Sequence, residues 1–253
     1  MKVKVIASGS KGNCTLVMCG DTKVLIDIGI SLSYLENSLA NMGINTKDLD
    51  GILITHTHSD HVKGLLQIVK KYKLKIFSSI ELAYDLSKII PIDNIVIVDK
   101  DFMIGDVQVT MIETSHDVTS YGFLIKYHDK ELVYITDTGY INKKHYRTTS
   151  NKDIYIIEAN HDEEMLMNGP YPYHLKQRVI GDKGHLSNRY TGKYLNKVIG
   201  ENTKYIVLAH ISENNNTYDL ALEQVIEEMQ ESNYDFDTIV IAHQNEETDL
   251  VEV

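Results

Sequence analysis

Short runs of alternating or continuous apolar residues dominate the first third of the chain. KVKVIAS (2–8), NCTLVMCG (13–20) and KVLIDIG (23–29) are set apart by Gly, Asn and Asp, the pattern of short strands joined by tight turns. The period then changes. Leu32, Leu35, Leu39 and Met42 recur at helical spacing and stop at Gly43, a C-cap residue. GILITH (51–56) predicts a buried strand, and Val62, Leu65, Leu66, Val69 and Tyr72 predict a second helix. The middle is mostly β: NIVIVD (94–99), VQVTMIETSH (107–116), GFLIKYH (122–128), ELVYITDTG (131–139) and DIYIIEANH (153–161). The last third alternates. A helix over Leu186 to Ile199 precedes the strand KYIVLAH (204–210), and an amphipathic helix over TYDLALEQVIEEMQ (217–230) precedes the strands DTIVIAH (237–243) and TDLVEV (248–253). Two β-rich blocks, each with its own helices, predict an α/β fold, a four-layer αββα sandwich. No repeat or linker tract interrupts it, and the only prolines are Pro91, Pro170 and Pro172, so residues 1–253 read as one domain.

Composition narrows the class. A chain of 253 residues can bury a core without staples. No apolar run approaches the roughly 20 residues that span a bilayer, so no membrane partner is expected. MKVKVIASGS reads as a strand and not as a signal peptide. Two cysteines, Cys14 and Cys19, are too few for a disulfide framework and point to the reducing cytoplasm. A net charge of −11 argues against a broad electrostatic grip on nucleic acid, although it leaves room for a local positive site that bound metal ions would supply.

One pattern carries chemistry. Apolar strands repeatedly end in a residue able to bind metal: Asp27, then His56 and His58, then His116, Asp137 and His210. Strand ends lie side by side at a sheet edge, so such residues can converge into a rigid site. His56 and His58 are two apart, point to the same side of an extended segment, and can share one ion. Asp60 and His61 follow on the turn into the next helix, displaced toward a second ion. Asp137 is the candidate bridge between the ions, and His116 and His210 fill the remaining positions. Taken singly, a strand-end histidine is usually a surface or core residue, and His128, His145, His161, His174 and His243 are read so. HTHSDH (56–61) behind a buried strand has no such packing rationale.

That segment resembles the signature of the metallo-β-lactamase fold superfamily, and Asp27, His116, Asp137 and His210 fall in the order of its other motifs. ASGSKGNCTLV (7–17), NGPYPYHLKQRVIGDKGHLSN (168–188) and LAHISENNNT (208–217) are similar to the YycJ/WalJ subgroup of bacterial proteins, over essentially the whole chain. The resemblance implies a dinuclear metallohydrolase. One ion is held by His56, His58 and His116, and the other by Asp60, His61 and His210. Asp137 bridges them, and Asp27 orients a ligand histidine from behind. It further implies phosphodiester hydrolysis, as a 5′-to-3′ exonuclease on DNA, with a hydroxide between the two ions as nucleophile and Asp60 among the catalytic residues. Zinc or manganese suits this ligand set, with iron as a third option. The alternative is a small-molecule metallohydrolase, a cyclic phosphodiesterase or thioesterase, because one fold hosts many chemistries. Oligomeric state is not legible.

Substrate residues carry weaker signals. His185 in GDKGHLSN sits where a helix begins and can donate a proton or hold a phosphate, and Glu158 at the end of IYIIEA can fix its tautomer. This pair resembles a Glu–His arrangement in tRNA-processing relatives of the superfamily; the competing reading is an ordinary helix-start residue. The glycine-rich turn SGSKGN (8–13) is either a plain hairpin loop or a nest of backbone N–H groups for a phosphate, with Ser8, Ser10 and Asn13 as contacts. Arg178 and Asn188, flanking His185, are read as nucleic-acid contacts, and the tyrosines of NGPYPYH either stack on bases or stiffen the loop.

Overall fold

The computed structural model describes residues 1–229 and 234–253. Their strands form two seven-stranded sheets. The first contains β1 (Lys2–Ala7), β2 (Cys14–Cys19), β3 (Thr22–Ile26), β4 (Gly51–Leu53), β5 (Ile76–Ser78), β6 (Ile95–Ile97) and, beside β1, β14 (Val251–Glu252). The second contains β7 (Asp101–Ile104), β8 (Val107–Glu113), β9 (Tyr121–Tyr127), β10 (Lys130–Ile135), β11 (Ile154–Glu158), β12 (Tyr205–Ala209) and β13 (Ile239–Ile241). Helices α1 (Leu32–Asn41), α2 (Ser59–Val62), α3 (Leu65–Tyr72) and α4 (Ile80–Leu86) follow strands of the first sheet. Helices α5 (Tyr146–Thr149), α6 (Glu163–Asn168), α7 (Tyr173–Ile180), α8 (Asn188–Val198) and α9 (Tyr218–Met229) belong to the second.

Alternation of side chains explains the layering. In β10 Leu132 and Tyr134 face the core between the sheets, whereas Val133 and Ile135 face the helix layer. β11 divides in the same way, with Ile154 and Ile156 inward and Tyr155 and Ile157 outward, and β3 sends Val24 and Ile26 inward and Leu25 outward. Both faces of these strands are therefore apolar, as strands covered on both sides require. Each fully buried large aliphatic contributes about 1.5–3 kcal/mol. The expected αββα sandwich is thus the observed one. Among the described residues no helix is long and apolar enough to cross a membrane.

Two expected elements differ. The helix predicted over Val62–Tyr72 is broken into α2 and α3 at Gly64, where a side chain would lie 2.3 Å from the Ile30 carbonyl oxygen and 2.9 Å from Ile28 Cγ1. The chain turns there because it packs against the segment leaving β3. The helix predicted to reach Gln230 is described as far as Met229, and Gln230 lies outside the described residues. Helices α4, α5, α6 and α7, none longer than eight residues, lie outside the helices read from the sequence.

What positions the site is strand direction. β3, β4, β5 and β6 run parallel, as do β10, β11, β12 and β13. Each parallel set brings its carboxyl ends to one edge, where open α/β sheets place their ligands. The two edges are tied together: Ser8 Oγ, beyond β1, accepts from the backbone N–H of His210, beyond β12 (2.7 Å). Tyr121 N–H, opening β9, donates to the Thr55 carbonyl, beyond β4 (2.9 Å).

Candidate metal centre

Three strands end in a residue with left-handed backbone. Asp27 has φ 60°, Asp137 φ 55° and His210 φ 51°. Asp and His tolerate this region better than most residues, and it ends the strand at once, turning each side chain along the sheet edge. HTHSDH then leaves β4 and enters α2, whose turn carries Asp60 and His61. Gly29 makes this approach possible, because a side chain there would lie 1.6 Å from the Asp60 carbonyl oxygen.

The predicted ligands converge. Ligand atoms of His56, His58 and His116 lie within 4.8 Å of one another, as do those of Asp60, His61 and His210. Asp137 joins His56 and His61 in a third such set, and His185 and His210 in a fourth, so it stands where the two triads meet. Three of the inward atoms, His56 Nε2, His210 Nε2 and Asp137 Oδ2, are buried without a hydrogen-bond partner. One such orphan costs about 1–3 kcal/mol. Three of them facing one space, lined by imidazole and carboxylate groups, fit divalent cations. Burial holds His56 and His116 below the usual histidine range, which keeps them in the neutral form that ligates metal. Burial opposes ionisation of Asp60, but the His210 and His61 imidazoles overcome it and hold its carboxyl below the usual range.

Behind the cluster, the outward ring nitrogens also have neighbours. His61 Nδ1 pairs with Asp27 Oδ2 at 2.7 Å. That fully buried carboxylate also accepts from Thr55 N–H (2.8 Å) and Thr55 Oγ1 (2.9 Å). His56 Nδ1 lies 3.0 Å from Thr55 Oγ1, and His116 Nδ1 lies 3.3 Å from the Gly184 carbonyl. His210 Nδ1 has Asn160 Nδ2 at 3.3 Å and Glu158 Oε2 at 3.5 Å. Such partners fix ring orientation and tautomer.

Glu158 and His185 meet beside this cluster. Glu158, fully buried at the end of β11, has Oε2 3.1 Å from His185 Nδ1 and accepts at Oε1 from the N–H groups of Thr138 (2.7 Å) and Leu186 (3.2 Å). Burial raises its pKa, yet the His185 and His210 imidazoles overcome that and hold the carboxyl well below its ordinary value. His185 Nε2 is thereby left for the cleft, which His185 lines together with Ser10, Arg178 and Lys183 and which encloses about 280 Å³. A larger cleft of about 660 Å³ between Ile97 and Thr148 lies away from this cluster and contains none of its residues.

Other expected substrate contacts are corrected by burial. Ser8 (4% exposed) is spent on the His210 backbone. Asn13 (1%) donates to the Gly9 carbonyl (3.0 Å) and lies 3.3 Å from Asp60 Oδ2, so it braces the ligands from within. Asn188 (0%) is locked to Asn216 and Gln224. The glycine-rich turn is not an open nest: the N–H groups of Gly9, Lys11, Gly12 and Asn13 are bonded to Asn13 Oδ1, Gln244 Oε1, Gly9 O and Asp60 O. Ser10 and Arg178 alone of the five reach the cleft. Sequence reasoning missed Thr55 and Asn160, which meet the outward nitrogens of His56 and His210; Thr55 directly precedes the HTHSDH motif.

Comparison with known proteins agrees with this architecture. Residues 22–211 match the family model of the beta-lactamase superfamily domain. The chain is 36% identical over 230 residues to exodeoxyribonuclease WalJ of Streptococcus pneumoniae serotype 2, covering 87% of this chain and 85% of that protein. It is 36% identical over 233 residues to exodeoxyribonuclease YycJ of Bacillus anthracis, covering 88% of each. Among solved structures, the metallo-beta-lactamase fold protein YhfI from Bacillus subtilis superposes with a TM-score of 0.74 at 18% identity, over 99% of both chains. By sequence over most of its length and by fold throughout, the chain belongs to the β-lactamase superfamily, in its metallo-β-lactamase fold form.

Proposed function

We propose that this protein is a two-metal phosphodiester hydrolase that degrades DNA from an end, in the 5′-to-3′ direction. His56, His58 and His116 would hold one ion, Asp60, His61 and His210 the other, and Asp137 would touch both. Zinc or manganese suits these donors. Bound there, divalent ions supply Lewis acidity toward a phosphate oxygen and make a water acidic enough to attack at neutral pH. The protein supplies the rest. Glu158 holds His185 by Nδ1, so that Nε2 can give a proton to the leaving oxygen. Ser10, Arg178 and Lys183 line the cleft where the strand would pass. Residues 1–253 act as one unit in this reading, since the core between the sheets draws on both.

The observation that carries the reading is the Glu158–His185 pair placed beside the ligand cluster, in a chain whose relatives over 85–88% of their length are named exodeoxyribonucleases. The direction rests on the subgroup resemblance. The test incubates metal-defined protein with end-labelled single- and double-stranded DNA beside a cyclic nucleotide and a thioester. Mono- or dinucleotides should leave one labelled end progressively. DNA affinity should fall with added salt in proportion to the few phosphates contacted, despite the net charge of −11. Intact DNA beside rapid turnover of the cyclic nucleotide or thioester would replace this reading with a small-molecule one.

A further inference from the structure

His58 stands apart from the other four histidines of the cluster. His56, His61 and His210 turn Nδ1 outward to Thr55, Asp27, and Asn160 with Glu158, and His116 turns Nδ1 to Gly184. His58 is reversed: its Nδ1 lies 3.3 Å from His116 Nε2, and its Nε2 lies 3.2 Å from Asp117 Oδ1, an oxygen that also stands 3.5 Å from His116 Nε2. The other outward partners are buried or are backbone, whereas the Asp117 side chain is 32% exposed. Its second oxygen, Oδ2, accepts twice from Arg178, from Nε at 2.9 Å and from Nη2 at 2.6 Å.

Arg178 belongs to α7, and no residue of that helix is buried. Leu175, Arg178 and Val179 nonetheless face the cleft. A helix without a buried face gains little from packing, so its place over the cleft depends on specific ties. Three such ties are the Arg178–Asp117 pair, the Gly181–Gly184 turn, where the Gly184 carbonyl meets His116 Nδ1, and Lys176 Nζ, which donates to the Met167 carbonyl at 2.6 Å. An exposed ion pair adds little to stability, so the worth of this one is positional.

We propose that Asp117 is a positioning residue with two duties: Oδ1 fixes the ring of His58 in the orientation that presents Nδ1 to a metal ion, and Oδ2 anchors α7 through Arg178. The inference rests on the metal assignment above but not on the identity of the substrate.

The test uses zinc alone, competed against a chromophoric chelator, with amide hydrogen exchange of residues 173–180 as a second readout. Asp117→Ala should weaken affinity for the ion assigned to His56, His58 and His116 by about 10–100-fold, the usual effect of losing a ligand's outer partner. Asp117→Asn keeps an oxygen that can accept from His58 Nε2 and should stay within about threefold of the natural protein. Arg178→Ala leaves Asp117 on His58 and should change zinc affinity less than twofold while speeding exchange in α7. Asp117 lies on a partly exposed loop, so these variants should fold, and the conservative Asn variant supplies the comparison. An Ala variant that binds zinc as tightly as the natural protein, or an Asn variant as weak as the Ala variant, overturns the proposal. Failure of the natural protein itself to bind zinc would instead overturn the metal assignment.

Discussion

Asp137→Ala protein should retain at most one of two ions and lose about 10³-fold or more of its hydrolytic rate. Among the described residues Asp137 is the one carboxylate that shares converging sets with members of both triads, and it is 2% exposed. Its Oδ2 has no hydrogen bond, although His61 Nε2 lies 3.3 Å away, and its Oδ1 is 3.5 Å from His210 Nε2. Removing it takes away the one negative charge, among the described residues, placed to neutralise both positions at once. The ions are worth several kcal/mol of transition-state stabilisation, and each 1.36 kcal/mol is tenfold in rate. Asp137→Asn keeps the volume but not the charge, so an equal loss in that variant, read by elemental analysis and rate together, would assign the effect to the carboxylate and not to packing. Either variant retaining two ions and near-natural rate would remove Asp137 from its bridging place.

His185→Ala should keep both ions yet lose roughly 10²–10⁴-fold in rate, the scale of a general acid. His185 lies in one converging set, with Asp137 and His210, so the ion count is a real test. Its Nδ1 is already paired with Glu158, which makes it a held proton donor and not an eighth anchor. The rate loss should shrink on a nitrophenyl phosphodiester, whose leaving group needs no proton. An equal loss on both substrates would leave His185 only a positioning role, and loss of an ion would make it a ligand.

The residues that converge were legible because their signal is local and repeated: an apolar run ended by Asp or His, at His56, Asp137 and His210, and at Asp27 behind them. The sandwich was legible for the same reason, since period-two strands such as β10 and β11 need cover on both faces. Residues that depend on distant packing were not. Ser8, Asn13 and Asn188 look like surface contacts beside functional motifs. Only the fold turns Ser8 under His210, Asn13 under Asp60 and Asn188 onto Asn216. The break at Gly64 is set by the backbone of Ile28 and Ile30, far outside the helical pattern it interrupts. Asp117 carries no sequence signal of its own; only the fold brings His58 and Arg178 of α7 to its two oxygens.

The measurement closest to the chemistry is a titration of metal-stripped protein with zinc or manganese, counting ions per chain while following release from end-labelled DNA. Two cooperating ions predict a rate that stays low through the first equivalent and reaches its plateau only at two ions per chain. A plateau reached at one ion per chain, unchanged by the second, would contradict the two-metal reading.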